Sequence, residues 1–93
     1  KFKFGVQTND LTPDQRRQLE RNTGAVVDVV FENSPAFFAN VLVGDILIAV
    51  DGISIRNAQH VSEIYGGIRS EIKTSQLTFL RNGVEKIVDV QFQ

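Results

Sequence analysis

The stretch SPAFFANVLVGDILIAVDG, residues 34–52, decides the fold, because its first half predicts a short helix and its second half a strand and a turn. Ser34 is an expected helix N-cap, since its hydroxyl can accept a free backbone N–H of the first turn. Pro35 fits the first helical position because it has no N–H to lose. Asn40 tolerates the positive φ angle with which helices often end. A brief helix is therefore expected directly after Ser34.

The second half of the same stretch predicts a buried strand followed by a tight turn. Residues 46–50, ILIAV, are apolar on both faces, which is typical of a strand that is covered on both sides. Asp51-Gly52 favours the positive φ angles of a two-residue hairpin turn. Residues 53–55 are then expected to return as a short strand.

Composition limits the kinds of protein this chain can belong to. It has 93 residues, no cysteine, a formal net charge of −1 and a pI near 5.7. We expect one domain over residues 1–93, cut from a longer protein because the chain starts inside an apparent strand. There is no basic excess for nucleic acid, and no apolar run approaches the roughly 18 residues of a membrane span. Neither nucleic acid nor direct membrane insertion is expected, and no cofactor or metal site has support.

The chain before residue 34 predicts two strands and a helix. Residues 1–8, KFKFGVQT, alternate as far as Phe4 and lose the period at Gly5, which indicates a kinked strand. Residues 12–15, TPDQ, form a capping box that starts a helix of about two and a half turns. Residues 24–31 are rich in β-branched side chains and predict a strand. One face of that strand is expected to carry Ala25, Val27, Val29 and Phe31, and the other Val26, Asp28 and Val30.

The chain after residue 55 predicts a second helix and a closing hairpin. Residues 58–69 place apolar side chains at helical spacing from Val61 onward. The pair Gly66-Gly67 is expected to end the helix early or to widen a neighbouring pocket. Asn82-Gly83 between two apolar runs is a strong hairpin signal. The last strand is expected to present one face made of Val84, Val88, Val90 and Phe92.

The motifs of residues 34–52 resemble a known family. Ser-Pro-Ala, then Gly44-Asp45 before Ile-Leu, with Gly52 one short step later, is similar to the central signature of PDZ domains, most of all the bacterial HtrA type. This chain has Ala39-Asn40 where family members usually carry Ala-Gly. The resemblance covers almost the whole chain. It implies an α+β fold: a partly open antiparallel barrel or sandwich of five or six strands, two main helices and one short helix.

The resemblance also implies a peptide-binding groove. The residues Lys3, Phe4, Gly5 and Val6 occupy the place of the loop whose backbone N–H groups receive a peptide's terminal carboxylate. Gly5 is physically sensible there because a carboxylate must approach the backbone closely. The peptide would add to the exposed strand edge at Val6, Gln7 and Thr8. Its last side chain, expected to be Val, Leu, Ile or Phe, would enter a pocket of Phe4, Val6, Val61, Tyr65 and Ile68.

Two registers of the second helix stay open. In one, which resembles animal PDZ domains, His60, Ile64 and Gly67 face the groove. In the other, which resembles the HtrA type, the groove is faced by Val61, Tyr65 and Ile68. The second register keeps a continuous apolar wall and is slightly preferred.

The residues offer little support for catalysis by this chain. His60 is the single histidine, and its position at a helix start is more typical of a surface residue than of a base. No serine lies in a Gly-x-Ser-x-Gly context. Asp45 and Asp51 flank turns, where aspartate usually bonds the local backbone. An autonomous hydrolase is accordingly the least supported hypothesis.

Two hypotheses for the parent protein are held as about equal. The chain is either the substrate-recognition or regulatory domain of an HtrA-type serine protease, or an adaptor domain of a non-enzymatic envelope protein. The resemblance implies the bacterial periplasm or cell envelope for both. The full reading frame would separate them.

Overall fold

A computed structural model describes residues 4–69 and 71–92. Within these residues the chain forms six strands and three helices, and all strand pairings are antiparallel. The α+β prediction is confirmed. The elements are β1 (Val6–Asp10), α1 (Pro13–Leu19), β2 (Ala25–Val30), α2 (Pro35–Phe38), β3 (Ile46–Val50), β4 (Ile53–Ser54), α3 (Ala58–Gly66), β5 (Thr74–Arg81) and β6 (Val84–Gln91).

The sheet runs in the order β1-β2-β3-β5-β6, and β4 pairs with β3 away from this path. β1 and β6 are therefore the outer strands, and β1 is the edge strand next to α3 in the predicted groove. The sheet packs around one main hydrophobic cluster. Its fully buried members include Val27, Leu47, Leu77, Phe79 and Val90.

The predicted signals of residues 34–52 are confirmed. The Ser34 hydroxyl accepts a hydrogen bond from Phe37 N at 3.2 Å, and Asn40 has a φ angle of 65°. β3 is buried almost throughout. Asp51 and Gly52 take φ angles of 50° and 81° between β3 and β4.

The predicted helix start at Thr12 and the closing hairpin are also confirmed. Both bonds of the capping box between Thr12 and Gln15 are present, and α1 is seven residues long, slightly shorter than expected. Asn82 and Gly83 join β5 to β6 with φ angles of 54° and 78°. α3 ends at Gly66, three residues before the predicted end, as the glycine pair had allowed.

The first strand begins later than predicted. Phe4 and Gly5 precede β1, which starts at Val6, and the predicted part before Phe4 lies outside the described residues. The kink at Gly5 thus stands before β1 instead of inside it.

The predicted faces of β2 are wrong at Val29. The register shifts between Gln7 and Thr8, which pair with Val29 and Val27, so that Asp28 is an extra residue in β2. Such a bulge breaks the alternation of side chains. Val29 is consequently 37% exposed, and Val30 packs partly buried against the main cluster.

The predicted face of the last strand is wrong at Val84. Val88, Val90 and Phe92 contact the main cluster, but Val84 is 58% exposed. Val84 directly follows the hairpin turn, where β6 begins outside the core. No helix among the described residues is long and apolar enough to cross a membrane.

Candidate functional site

The loop before β1 is held by its carbonyl groups. The Phe4 oxygen accepts a hydrogen bond from Ala36 N at 2.9 Å, and the Gly5 oxygen accepts one from Phe31 N at 2.9 Å. The described residues contain no cis peptide bond. In a trans peptide the N–H points opposite to the carbonyl of the preceding residue. The N–H groups of Gly5 and Val6 therefore point away from α2 and β2.

Only glycine fits at the centre of this loop. Gly5 has a φ angle of 97°, which side chains disfavour. A Cβ atom at this position would lie 2.1 Å from the Cβ of Ser34. The Ser34 hydroxyl donates to the Gly5 oxygen at 3.4 Å. The first residue of the fold-deciding stretch thus supports the loop from behind.

β1 exposes part of its backbone at a free edge. Because Phe31 N bonds the Gly5 oxygen, the pair Val6 and Val30 is not hydrogen-bonded, and the backbone of Val6 faces away from β2. Thr8 pairs with Val27, whose N–H and carbonyl both bond the residues before β3. The backbone groups of Thr8 consequently face the same free edge. Gln7 lies between them and turns its backbone toward β2.

The start of α3 is fixed to the end of β1. Asn57 caps the helix by accepting a hydrogen bond from His60 N at 2.9 Å. Ala58 N donates to the Asp10 carboxylate at 2.9 Å. Asp10 and Asn57 were not among the predicted site residues. The bond between Asp10 and Ala58 joins distant residues and leaves no local signal in the sequence, whereas Asn57 is a preferred N-cap residue three positions before His60.

The described structure brings most of the predicted pocket residues together. Phe4, Val61 and Tyr65 are buried in the main cluster, while Val6, Ile64 and Ile68 are partly buried against it. The rings of Phe4 and Tyr65 stack with centroids 4.2 Å apart and an angle of 10° between their planes. The apolar register of α3 thus lies next to the loop. Lys3, the remaining predicted loop residue, lies outside the described residues.

His60 is not the surface residue that its position predicted. It is only 9% exposed, because the preceding loop folds over its ring. Its Nδ1 accepts a hydrogen bond from Arg56 N at 3.0 Å, and its Nε2 lies 3.4 Å from Arg56 Nη1. These contacts give His60 a role in ordering the start of α3.

Tyr65 carries a buried hydroxyl group that has no hydrogen-bond partner among residues 4–69 and 71–92. Its side chain is 5% exposed, and its ring also meets the Phe92 ring edge-on at 6.0 Å. Burial, and to a smaller extent the charge of Asp51, raise the pKa of Tyr65. Tyr65 therefore stays protonated and neutral where a free tyrosine would begin to ionise.

The two turn aspartates have structural roles. Asp45 accepts a hydrogen bond from Leu42 N at 2.8 Å, which confirms the predicted local bond. It also pairs with Arg81, whose Nε and Nη2 lie 2.9 and 2.7 Å from its oxygens, and this bond raises the pKa of Arg81. Arg81 was not predicted as a partner.

Asp51 does not make the predicted local bond. Its oxygens accept hydrogen bonds from the Ser75 hydroxyl at 2.5 Å and from Gln76 N at 2.7 Å. Both donors belong to β5, which pairs with β3 and so passes beside the turn. Each turn aspartate is therefore occupied by structural bonds. The described residues contain no group of three or more potential metal ligands.

The surface beside α2 holds an apolar depression of about 380 Å³. Phe37 and Phe38 form part of its lining and are 41% and 68% exposed. Their rings meet edge-on at 5.4 Å. No titratable side chain lines this depression, so it offers no group for acid–base chemistry.

Comparisons with known proteins agree with the fold. A family model described as "PDZ domain" matches residues 3–92. A Pseudomonas putida (strain F1) protein, "Probable periplasmic serine endoprotease DegP-like", is 31% identical over 89 residues. The match covers 94% of this chain but 18% of that relative. The chain thus spans less than one fifth of the length of the curated relative.

Solved structures share the fold. The HtrA3 PDZ domain bound to a phage-derived ligand, FGRWV, superposes with a TM-score of 0.77 at 20% identity, covering 97% of this chain and 83% of that chain. The HtrA-type protease AlgW with a decapeptide gives a TM-score of 0.80 at 23% identity, covering 95% of this chain and 27% of that one. The PDZ domain of EpsC from Vibrio cholerae gives 0.65 at 19% identity, with 99% of both chains covered.

Proposed function

Because the chain belongs to the PDZ domain family, we propose that it captures extended protein segments, C-terminal or internal, in the groove between β1 and α3. The observation that carries this proposal is the free edge of β1, where Val6 and Thr8 turn their backbone groups away from β2. An added peptide strand would complete the hydrogen bonds of this edge, which is β-augmentation. The chain is a binding module, and any catalysis would belong to another part of the parent protein.

The terminal carboxylate of the peptide would bind at the loop before β1. The N–H groups of Gly5 and Val6 point away from the body of the domain, and Gly5 permits the φ angle of 97° that this loop adopts. Neighbouring N–H groups of this kind form a concave site for an anion. The N–H of Phe4 would be the third donor, and Lys3 would add a positive charge.

The last side chain of the ligand would lie on the apolar residues that join the loop to α3. Of the two registers of α3, we favour the one with Val61, Tyr65 and Ile68, because Tyr65 stacks on Phe4 and Val61 is buried in the same cluster. In that register His60 and Ile64 lie beside the pocket. The partner is therefore a peptide or protein terminus whose last residue is apolar.

We infer that the parent protein is an HtrA-type serine protease of the bacterial periplasm, in which this domain recognises substrates or regulates activity. The support is the likeness to a relative named as a periplasmic, DegP-like endoprotease. The second candidate is an adaptor domain of a non-enzymatic envelope protein. A trypsin-like domain with a Gly-Asn-Ser-Gly-Gly motif in the full reading frame would decide for the protease.

A comparison of free and amidated peptides tests the proposed function. Fluorescently labelled peptides with apolar last residues are titrated with the 93-residue chain, each with a free carboxylate and as the C-terminal amide. We expect the free carboxylates to bind at least about tenfold more tightly, since charge-assisted bonds are lost in the amide. Equal binding of both forms would refute the carboxylate loop. Absence of binding by either form would refute the peptide-binding function.

A further inference from the structure

The Phe4 and Tyr65 rings join the two walls of the proposed groove. Phe4 belongs to the loop that would bind the carboxylate, and Tyr65 belongs to α3 on the opposite side. Their centroids are 4.2 Å apart and their planes are within 10° of parallel. An aromatic stack would thus form the floor of the pocket for the last side chain of a ligand.

The residues of this stack are buried in the core of the domain. Phe4 is 4% exposed, and Tyr65 and Val61 are each 5% exposed. Phe92 supports the Tyr65 ring from another side at 6.0 Å. Side chains buried to this degree cannot yield space without moving their neighbours, because protein interiors are as dense as organic crystals. A large terminal side chain would have to separate the two rings.

We propose that Tyr65 determines the size of the ligand's last residue, and that the groove selects small apolar termini, alanine or valine, over leucine and phenylalanine. This inference rests on the proposed peptide-binding function and narrows its ligand class. A small side chain rests on the stack while the carboxylate stays at the Gly5 loop. A large one loses either the stack or the carboxylate contacts.

The unpaired Tyr65 hydroxyl supplies a control. Tyr65→Phe keeps the ring and the stack and removes only a hydroxyl that has no partner among the described residues. Tyr65→Leu removes the stack. If the ring is the size filter, the first variant keeps the ligand preference and the second reverses it. A pocket that discriminates between side chains differing by one or two carbon atoms typically changes affinity by about tenfold to a hundredfold.

The test uses four peptides that are identical except for their last residue, which is Ala, Val, Leu or Phe. Each is titrated, free and amidated, with the 93-residue chain and with the Tyr65→Phe and Tyr65→Leu variants. Thermal unfolding checks that each variant is folded. Val61→Ala, one helical turn away, widens the same pocket and replaces Tyr65→Leu if that variant does not fold.

We expect the unchanged chain and Tyr65→Phe to bind the Ala and Val peptides about tenfold more tightly than the Phe peptide. In Tyr65→Leu or Val61→Ala we expect the affinity ratio between the small-residue peptides and the Phe peptide to fall to one or to invert. Binding that weakens when the peptide is amidated, but that favours the Leu or Phe peptide, would overturn the size filter and leave the proposed function intact. A small-residue preference that is unchanged in the wider variant that folds would overturn the role of the Phe4–Tyr65 stack. Binding of no peptide would overturn the proposed function and this inference together.

Discussion

Residues 34–52 contain side-chain bonds between near neighbours in the sequence, whereas the two walls of the groove are joined by contacts between distant residues. In the first region, Ser34 bonds the backbone of Phe37, and Leu42 bonds the carboxylate of Asp45, each three positions away. In the second region, the contacts join Phe4 to Tyr65 and Asp10 to the start of α3. A region built from local bonds can be predicted from sequence patterns. A region assembled from distant residues depends on the finished fold.

The two regions meet at Gly5. Ala36 N bonds the Phe4 oxygen, and Ser34 lies directly behind Gly5. Residues 34–52 therefore hold the loop before β1 from behind. We therefore expect substitutions within residues 34–52 to change mainly the free energy of unfolding, and substitutions in the groove walls to change mainly the affinity for peptides.

The largest effect is expected at Asp45. Asp45→Ala removes a buried carboxylate that bonds Leu42 N and pairs with Arg81, so we expect the free energy of unfolding to fall by about 3 kcal/mol. Chemical denaturation measures this loss. The matched control is Asp14→Ala, because Asp14 pairs with Arg17 at an exposed surface. That change should cost no more than about 0.5 kcal/mol. Similar costs for both variants would contradict the structural role of Asp45.

The contacts of Asp45 also illustrate which features the sequence could predict. The turn at Gly44-Asp45 was predictable because an aspartate bonds its own turn. Its pairing with Arg81 was not, because β5 is brought beside it only by the sheet. The error at Val29 has the same origin, since the bulge depends on how β1 and β2 pair. His60 was misjudged because a helix start is usually exposed, whereas here the Arg56 loop covers it.

The second effect is expected at Gly5, where the two regions meet. Gly5→Ala adds a Cβ atom 2.1 Å from the Cβ of Ser34 at a φ angle of 97°, so we expect at least about 2 kcal/mol of destabilisation and loss of peptide binding. Adding Ser34→Gly removes the clash and should restore part of the stability. Ser34→Gly alone costs only a few tenths of a kcal/mol, about the difference between these N-caps. A double variant no more stable than Gly5→Ala would show that the clash is not the cause.

A smaller effect, confined to binding, is expected at Thr8. Its N–H faces the free edge of β1, and proline is tolerated in an edge strand at such positions. We expect Thr8→Pro to weaken peptide binding about tenfold by removing one main-chain donor. Thr8→Val, which keeps the N–H, serves as the control and should bind nearly as tightly as the unchanged chain. Equal binding by both variants would mean that the peptide does not pair with β1 at Thr8.

The smallest effect at neutral pH is expected for Tyr65→Phe, which removes the unpartnered hydroxyl and should raise the free energy of unfolding by about 1 kcal/mol. The difference in the free energy of unfolding between Tyr65→Phe and the unchanged protein should then grow above pH 10. Burial raises the pKa of Tyr65 in the folded chain, whereas the unfolded chain releases this proton near the ordinary value of 10.0. The folded state then binds more protons than the unfolded state, so stability falls as the pH rises.

The expected slope of this fall is about 1.4 kcal/mol per pH unit, and Tyr65→Phe should lack this contribution. Tyr65 is the only tyrosine of the chain, so tyrosinate absorbance reports its ionisation directly. In the unchanged protein that absorbance should appear together with the loss of circular dichroism, because the buried hydroxyl ionises only when the chain unfolds. Tyrosinate that forms near pH 10 while the fold persists would show that the Tyr65 hydroxyl reaches solvent. The floor of the groove would then be open, and the size filter assigned to Tyr65 would lose its structural basis.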